Sequence, residues 1–358
     1  MVDIIQPNKE KKGGNPMRFL ANLFAGKICI DPGTVNTSVF IKGKGIVLRQ
    51  PSVVALQNNG SVLAVGDEAK KMIGRTPQNI TIVRPIKNGV VANFDLTRIM
   101  FKHFFSKLFY LHAVPIPQVT VPLSLGVTDI ERRALQEAIK QAGAKEVTFI
   151  EAPMAAALGA NLPVDDYRGA MIVNLGGGTS EVAVISLGGI VTSSCLRFGG
   201  ENMDETIIKY IRKKHYLVIG ERTAEEIKIT IGSSCCRAEE YMDIRGKDLI
   251  SRLPGSLTIS SSEIQKVLAE NIAVILKNIR DTLERTPLEL AFDIMKTGIT
   301  LTGGGALLKG FSKAVAEATG MPAQLAEKPL DCNVLGAGKI VKDPELFKKI
   351  AVIPQEAP

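Results

Sequence analysis

The chain has 358 residues, 45% hydrophobic and 22% charged, with a formal net charge of +8, as expected of a globular protein long enough for two core-bearing lobes. Its five cysteines (Cys29, Cys195, Cys235, Cys236 and Cys332) form no CxxC pair, which argues against a disulfide framework or zinc site and, with no signal peptide, points to a reducing cytoplasm. No apolar run approaches the roughly 18 residues of a spanning helix, and scattered basic residues without any tryptophan argue against a nucleic-acid partner.

Residues 1–25 read as a polar arm ending in an amphipathic segment. Phe19, Leu20, Leu23 and Phe24 make one apolar stripe at helical spacing, flanked by Arg18 and Lys27. Such a stripe suits an in-plane anchor at an anionic membrane surface, or packing on the first lobe. A hairpin follows over residues 26–41, with Asp31-Pro32-Gly33-Thr34-Val35-Asn36-Thr37 at its turn. Short strands are expected over 46–86, with turns at Asn58-Asn59-Gly60 and Gly66-Asp67. A helix over Asp95–Leu108 ends in Phe109-Tyr110-Leu111, an apolar tip read as core or as a second membrane contact. After the strand Gln118–Leu123, Thr128-x-x-Glu131 is a capping box that opens a helix through Gln141. The strand Val147–Ile150 then leads into Glu151-Ala152-Pro153 and an alanine-rich helix suited to close packing between lobes.

The second half repeats the first. Asn174-Leu175-Gly176-Gly177-Gly178-Thr179-Ser180-Glu181 aligns with the first turn at a constant offset of 143 positions (31 to 174). Helices over Asn202–Lys214 and Ala224–Ile231, a strand near Leu257–Ile259 and a long helix over Ser262–Glu284 come next. The strand Gly298–Leu301 then runs into Thr302-Gly303-Gly304-Gly305 and a helix from Leu307. Successive N–H groups in glycine turns form anion-binding nests, and two facing turns from duplicated halves make a polyphosphate clamp.

These motifs resemble the actin and heat-shock-chaperone ATPase superfamily and, within it, the bacterial actin homologue family MreB. The likeness runs from about residue 26 to 340. Arg84-Pro85-Ile86-Lys87-Asn88-Gly89-Val90, Gly220-Glu221-Arg222-Thr223-Ala224-Glu225 and Leu301–Leu308 carry it beyond the two phosphate turns. The resemblance implies an α/β fold, a duplicated actin-like ATPase of two lobes, each a β-sheet flanked by helices with a small inserted subdomain. It divides the chain into lobe I (26–168, insert about 46–86), lobe II (169–340, insert about 205–262) and a tail (341–358). It further implies ATP or ADP with Mg²⁺ in the cleft. Gly33, Thr34, Asn36 and Thr37 would cradle phosphate from one side, and Gly176, Gly177, Gly178 and Thr179 from the other. Asp31 would hold Mg²⁺ through water, Thr179 would position the attacking water, Glu225 and Lys228 would bind ribose, and Gly200, Gly303, Gly304 and Gly305 would line the nucleotide. The implied partners are further copies of the chain in filaments, an anionic membrane face and the proteins of wall synthesis and cell shape, with a peripheral location at the inner membrane.

Two positions depart from the family pattern. Glu-Glu-Pro at the inter-lobe helix is Glu151-Ala152-Pro153 here, and the usual Asp of the second turn is Asn174. Both remove a carboxylate and point to slowed hydrolysis with binding retained, since such groups contribute about 10²–10⁴-fold. Glu151 is a doubtful substitute, because neighbouring helix positions point about 100° apart. The segment Val121–Thr128 also runs roughly two residues longer than the family's. A sugar kinase of the same superfamily would need a carboxylate base near its acceptor, and a chaperone ATPase a long extension. Neither feature is evident.

Overall fold

The two hairpins read from the sequence form, and in the same register. Ile28–Pro32 pairs antiparallel with Asn36–Ile41, setting Asp31 opposite Ser38. Ala170–Leu175 pairs with Ser180–Ser186, setting Asn174 opposite Glu181. The computed structural model describes residues 28–108, 116–235 and 238–350. The stripe Phe19, Leu20, Leu23 and Phe24 and the tip Phe109 and Tyr110 lie outside the described residues.

Each hairpin is the centre of a five-stranded sheet, and the two sheets share one topology. In lobe I the order is Ala144–Glu151, Ile116–Leu123, Ile28–Pro32, Asn36–Ile41, Gly45–Pro51. In lobe II it is Ala323–Leu325, Ile299–Thr302, Ala170–Leu175, Ser180–Ser186, Gly189–Leu196. The first three strands of each sheet are parallel and the rest antiparallel. Parallel pairs need crossover helices, so helices cover the sheet faces. The fully buried Phe101, Phe104 and Phe149 fill the core of lobe I, and Phe311, Ile275 and Met171 that of lobe II. The lobe I insert is a small sheet of Val54–Gln57, Val62–Val65 and Ile80–Val83 with the helix Asp67–Met72. The lobe II insert pairs Leu217–Val218, Tyr241–Asp248 and Pro254–Ser260.

The lobes are joined beneath the cleft by two helices. Ala152–Gly159 leaves the edge strand of lobe I, and Cys332–Lys342 returns after the edge strand of lobe II. Pro153 lies in the first turn of the former, where its missing N–H costs nothing. Their close crossing follows from small residues: Ala155, Ala156 and Ala157 are fully buried, and Gly159 and Gly336 sit where a Cβ would strike the facing backbone.

The capping box forms as expected. Thr128 accepts from the Glu131 N–H at 3.3 Å, and Glu131 Oε2 accepts from the Thr128 N–H at 2.9 Å. Leu135, Ala138 and Ile139 of that helix are buried. Two local expectations differ from the structure. The turn at Gly66 (φ 71°) opens a six-residue helix, Asp67–Met72, rather than another strand. Its two acidic and two basic residues, in the first and last turns respectively, favour the helix dipole. After Gly303 the chain makes a short 3₁₀ turn, Gly304–Leu307, and the α-helix begins only at Phe311. Gly310, at φ 77°, breaks the helix expected from Leu307.

Candidate functional site

The paired turns meet at the base of a cavity of about 440 Å³ between the lobes. They touch. A Cβ on Gly177 would stand 2.3 Å from Cγ2 of Val35, and one on Gly178 would stand 2.7 Å from Oγ1 of Thr34. Glycine is required at both positions by close approach, not by backbone angle. Each turn is braced from within its own lobe. Thr34 Oγ1 accepts from the Gly89 N–H at 3.1 Å, and Ser52 Oγ donates to the Gly33 carbonyl at 2.7 Å. In lobe II the N–H groups of Gly200 and Glu201 donate to the carbonyls of Gly176 and Gly177 at 3.0 and 2.8 Å. These bonds bind the second turn to the N-terminus of the helix Gly200–His215, the end that favours anions.

Most of the expected site residues line this one cavity: Asp31, Gly33, Thr34, Asn36, Gly176, Gly177, Gly178, Thr179, Gly200, Glu225, Lys228, Gly303, Gly304 and Gly305. Ala152 and Asn174 line it too. Thr37 and Glu151 do not. Thr37 is wholly buried and its hydroxyl pairs with Ser52 Oγ at 2.9 Å, so it supports the turn from behind. Glu151 stands just before the inter-lobe helix, and its partial burial raises the pKa of its carboxyl. Gly303 combines a left-handed φ of 83° with a Cβ position 2.3 Å from the Leu175 carbonyl oxygen. The third glycine turn therefore packs directly on the root of the second hairpin.

Charge in the cavity is mostly negative. Burial pushes Asp31 up from 3.8 to about 7, against a lowering hydrogen bond from Asn333. It pushes Glu181 to about 7 as well, opposed by the Leu125 N–H and by Asn174. Asp204 rises to about 6 by burial although Lys228 lies beside it. Lys228 Nζ donates to Asp204 Oδ2 at 2.7 Å and to the Gly200 carbonyl at 2.9 Å. Glu225 faces Lys70 across the cleft at 3.7 Å. The buried oxygens Asp204 Oδ1 and Asn333 Oδ1 accept no hydrogen bond. A buried acceptor without a donor is costly, so these two oxygens are suited to ligand hydroxyls or bound water.

Asn333, Asp204 and Glu201 did not stand out in the sequence, because nothing local to each one connects it with the glycine turns. Glu181 was legible as part of the second motif but not as a cavity group. The hairpin register held that signal: a residue opposite Asn174 faces the same side of the sheet.

The raised pKa of Asp31 has a measurable consequence. Between 3.8 and about 7 the folded chain holds on Asp31 a proton that the unfolded chain has released. Its contribution to stability is full at low pH and is lost as pH rises through 7. Asp31→Asn cannot titrate. The nucleotide-free variant should therefore gain on the parent from pH 4.5 to pH 8, by at most about 1.4 kcal/mol for each tenfold change in proton affinity. Urea midpoints at the two pH values check this, and an equal gap at both would show an ordinary Asp31.

Residues 25–349 match the family model described as MreB/Mbl protein. The chain belongs to the MreB/Mbl family. It is 44% identical over 329 residues to the cell shape-determining protein Mbl of Bacillus subtilis, covering 91% of this chain and 99% of that one. It is 46% identical over 333 residues to the cell shape-determining protein MreB of Escherichia coli K12, covering 91% and 96%. Among solved structures, MreB5 of Spiroplasma citri bound to ADP superposes with a TM-score of 0.85 at 36% identity, over 91% of this chain and 98% of that one. The same protein bound to AMPPNP gives 0.84, over 90% and 96%. The MamK double helical filament shares the fold at 17% identity, TM-score 0.75, over 88% and 99%. The chain is thus an actin-like, MreB-type cytoskeletal protein of the cell shape-determining class, and its duplicated sheets are the two lobes of that fold. No helix among the described residues is long and apolar enough to cross a membrane.

Proposed function

We propose that the cleft binds ATP and ADP with Mg²⁺, and that nucleotide drives closed subunits into filaments at the inner membrane face, where they organise wall synthesis and cell shape. One observation carries the nucleotide reading: two duplicated glycine turns, one from each lobe, abut at the base of one cavity, as a polyphosphate clamp requires. The MreB5 relatives bound to ADP and AMPPNP support it. So do the unpartnered acceptors, since ribose hydroxyls would supply the donors that Asp204 Oδ1 lacks.

Asp31 fits a water-held Mg²⁺. Its carboxylate faces the cavity half-buried with Asn333 as its side-chain partner, and the charge that this desolvation disfavours is one a cation restores. Among the described residues no group of three or more His, Cys, Asp or Glu is arranged to enclose an ion, so water and phosphate oxygens would complete the shell, as a hard cation prefers. When bound, Mg²⁺ would offset phosphate charge. Thr179 would position the attacking water, while Ala152 brings no carboxylate to the cavity and Asn174 brings a neutral amide. Hydrolysis is therefore slow and binding persists.

Sedimentation tests assembly. The full chain with Mg-ATP should pellet at high speed, while chain with ADP or without nucleotide stays in the supernatant. A soluble chain under all three conditions at micromolar concentration would reject filament formation as the function of this cleft.

Membrane attachment rests on the stripe Phe19, Leu20, Leu23 and Phe24 beside Arg18 and Lys27, with Phe109 and Tyr110 as a second contact. One copy binds weakly, because a large apolar side chain gains only about 1.5–3 kcal/mol when fully buried. A filament presents many copies and converts this into firm attachment. Phe19→Ser with Phe24→Ser should abolish most flotation with anionic liposomes and leave ATP affinity unchanged. Flotation equal to the parent's would move the anchor to Phe109 and Tyr110.

A further inference from the structure

A polar contact between the lobes at the floor of the cleft has no part in the nucleotide reading. Glu181 is 1% exposed, yet it lines the cavity. Its Oε1 accepts from the Leu125 N–H at 2.7 Å, and the Ser124 hydroxyl donates to the same carboxylate. Its Oε2 accepts from Nδ2 of Asn174 at 3.1 Å. Ser124 and Leu125 form the turn that follows the lobe I strand Ile116–Leu123, whereas Glu181 and Asn174 belong to the hairpin of lobe II. Just beyond the strand paired with Glu181, Arg197 holds Glu131 of lobe I, with both carboxylate oxygens at 2.9 Å. The other cross-cleft pairs, such as Lys70 with Glu225, sit in partly exposed side chains, where ion pairs contribute little. The Glu181 contact is buried, and removing donors from a buried carboxylate is costly.

The turn it receives stands against the phosphate cradle. A Cβ on Gly89 would meet Ser124 Oγ at 2.8 Å and Thr179 Cγ2 at 3.0 Å. Withdrawal of Ser124 and Leu125 therefore opens space beside Thr179. The residue at 174 decides whether the carboxylate can stay. Asparagine donates to it, while an aspartate there would set two anionic acceptors about 3 Å apart, and like charges that close disfavour joint ionisation. The Asn174 amide is in turn held through Oδ1, which accepts from Thr302 Oγ1 at 3.3 Å.

We propose that Glu181 is a positioning residue for the cleft: it receives the Ser124–Leu125 turn and so sets how closely lobe I seats on the Gly176–Thr179 turn, with Asn174 holding the carboxylate in place. The absent carboxylate at 174 then has a structural role besides its effect on hydrolysis. It exchanges an acid pair for a carboxylate–amide bridge between the two hairpin strands. The part concerning affinity rests on the nucleotide reading; the part concerning lobe contact does not.

Two readouts on the full chain test it: amide hydrogen exchange across residues 121–128 without nucleotide or divalent cation, and ADP affinity. In Glu181→Leu, exchange at the Leu125 amide should quicken at least tenfold and ADP affinity fall at least tenfold. The helix Phe311–Thr319, which packs on the opposite edge of the lobe II sheet at Ala323–Leu325, should exchange as in the parent, which a general loss of stability would not allow. Glu181→Gln still offers a carbonyl oxygen to Leu125 and should stay within a few-fold on both measures. Asn174→Asp alone should loosen the turn, and the exchanged pair Asn174→Asp with Glu181→Gln should restore its protection. Unchanged Leu125 exchange in Glu181→Leu would overturn the proposal, as would an exchanged pair no better protected than Asn174→Asp. The exchanged pair decides the matter even if Glu181→Leu does not fold. A parent that binds no ADP would sink the nucleotide reading alone, since Leu125 exchange is read without ligand.

Discussion

Ala152→Glu should raise single-turnover phosphate release by about 10²-fold or more, within the 10²–10⁴-fold range of a positioned general base. Ala152 is the first residue of the inter-lobe helix, is 3% exposed and lines the cavity below the facing glycine turns. A carboxylate introduced there projects from a helix N-terminus, where the dipole favours negative charge. The variant should bind ATP about as well as the parent, because the cradle itself is untouched. Rapid-quench measurement with the protein in excess over ATP isolates the chemical step from release and assembly. No acceleration with affinity intact would mean that Ala152 does not limit hydrolysis. Glu151→Gln serves as the companion measurement. Glu151 does not line the cavity, so its loss should leave phosphate release unchanged, and a tenfold fall would identify it as the base in use.

Gly336→Val should be the most destabilising single change in the hinge. Here the helices Ala152–Gly159 and Cys332–Lys342 cross with backbones in contact. A Cβ at Gly336 would lie 1.7 Å from the Ala155 carbonyl oxygen, and one at Gly159 would lie 1.9 Å from that of Cys332. These obstacles are helix backbone, which cannot rotate aside as a side chain can, so the helices must separate. Overpacking typically costs about 1–3 kcal/mol and occasionally more. Separation here also opens the shared core of Ile150, Ile172, Val334 and Ala337, which places the change at or above the top of that range. Against a net stability of roughly 5–15 kcal/mol, urea unfolding should show a large fall in midpoint. Gly60→Ala is the contrast. Gly60 has φ 82° but nothing within 4 Å of its Cβ position, so it carries only the left-handed penalty of about 1–2 kcal/mol. Equal losses in the two variants would show that the helix crossing is slack.

Features that depend on a few neighbouring residues were legible in the sequence itself. The constant offset between Asp31 and Asn174 implied two equivalent hairpins, and the sheets around them have the same strand order. The Thr128–Glu131 spacing specified a capped helix, and the alanine run from Ala155 implied a closely packed one. Strand alternation, caps and turn glycines are governed by local sterics and hydrogen bonding, so composition and spacing express them directly. Local rules also had limits within their own range: the helix Asp67–Met72 follows a glycine that reads equally well as a plain turn.

What only the tertiary structure decided is which polar groups meet across long stretches of chain. Thr37 belongs to the first glycine-turn motif, yet its hydroxyl turns to Ser52. Lys228, paired with Glu225 by helical spacing, hydrogen-bonds instead to Asp204. Glu181 reaches Leu125 from 56 positions away. Such partnerships arise because folding removes water from buried oxygens and obliges them to find whichever donors the two lobes bring near. The motifs by themselves determined a duplicated pair of glycine-turn hairpins; the packing of one lobe against the other decided which side chains face the cavity between them and which hold its walls in place.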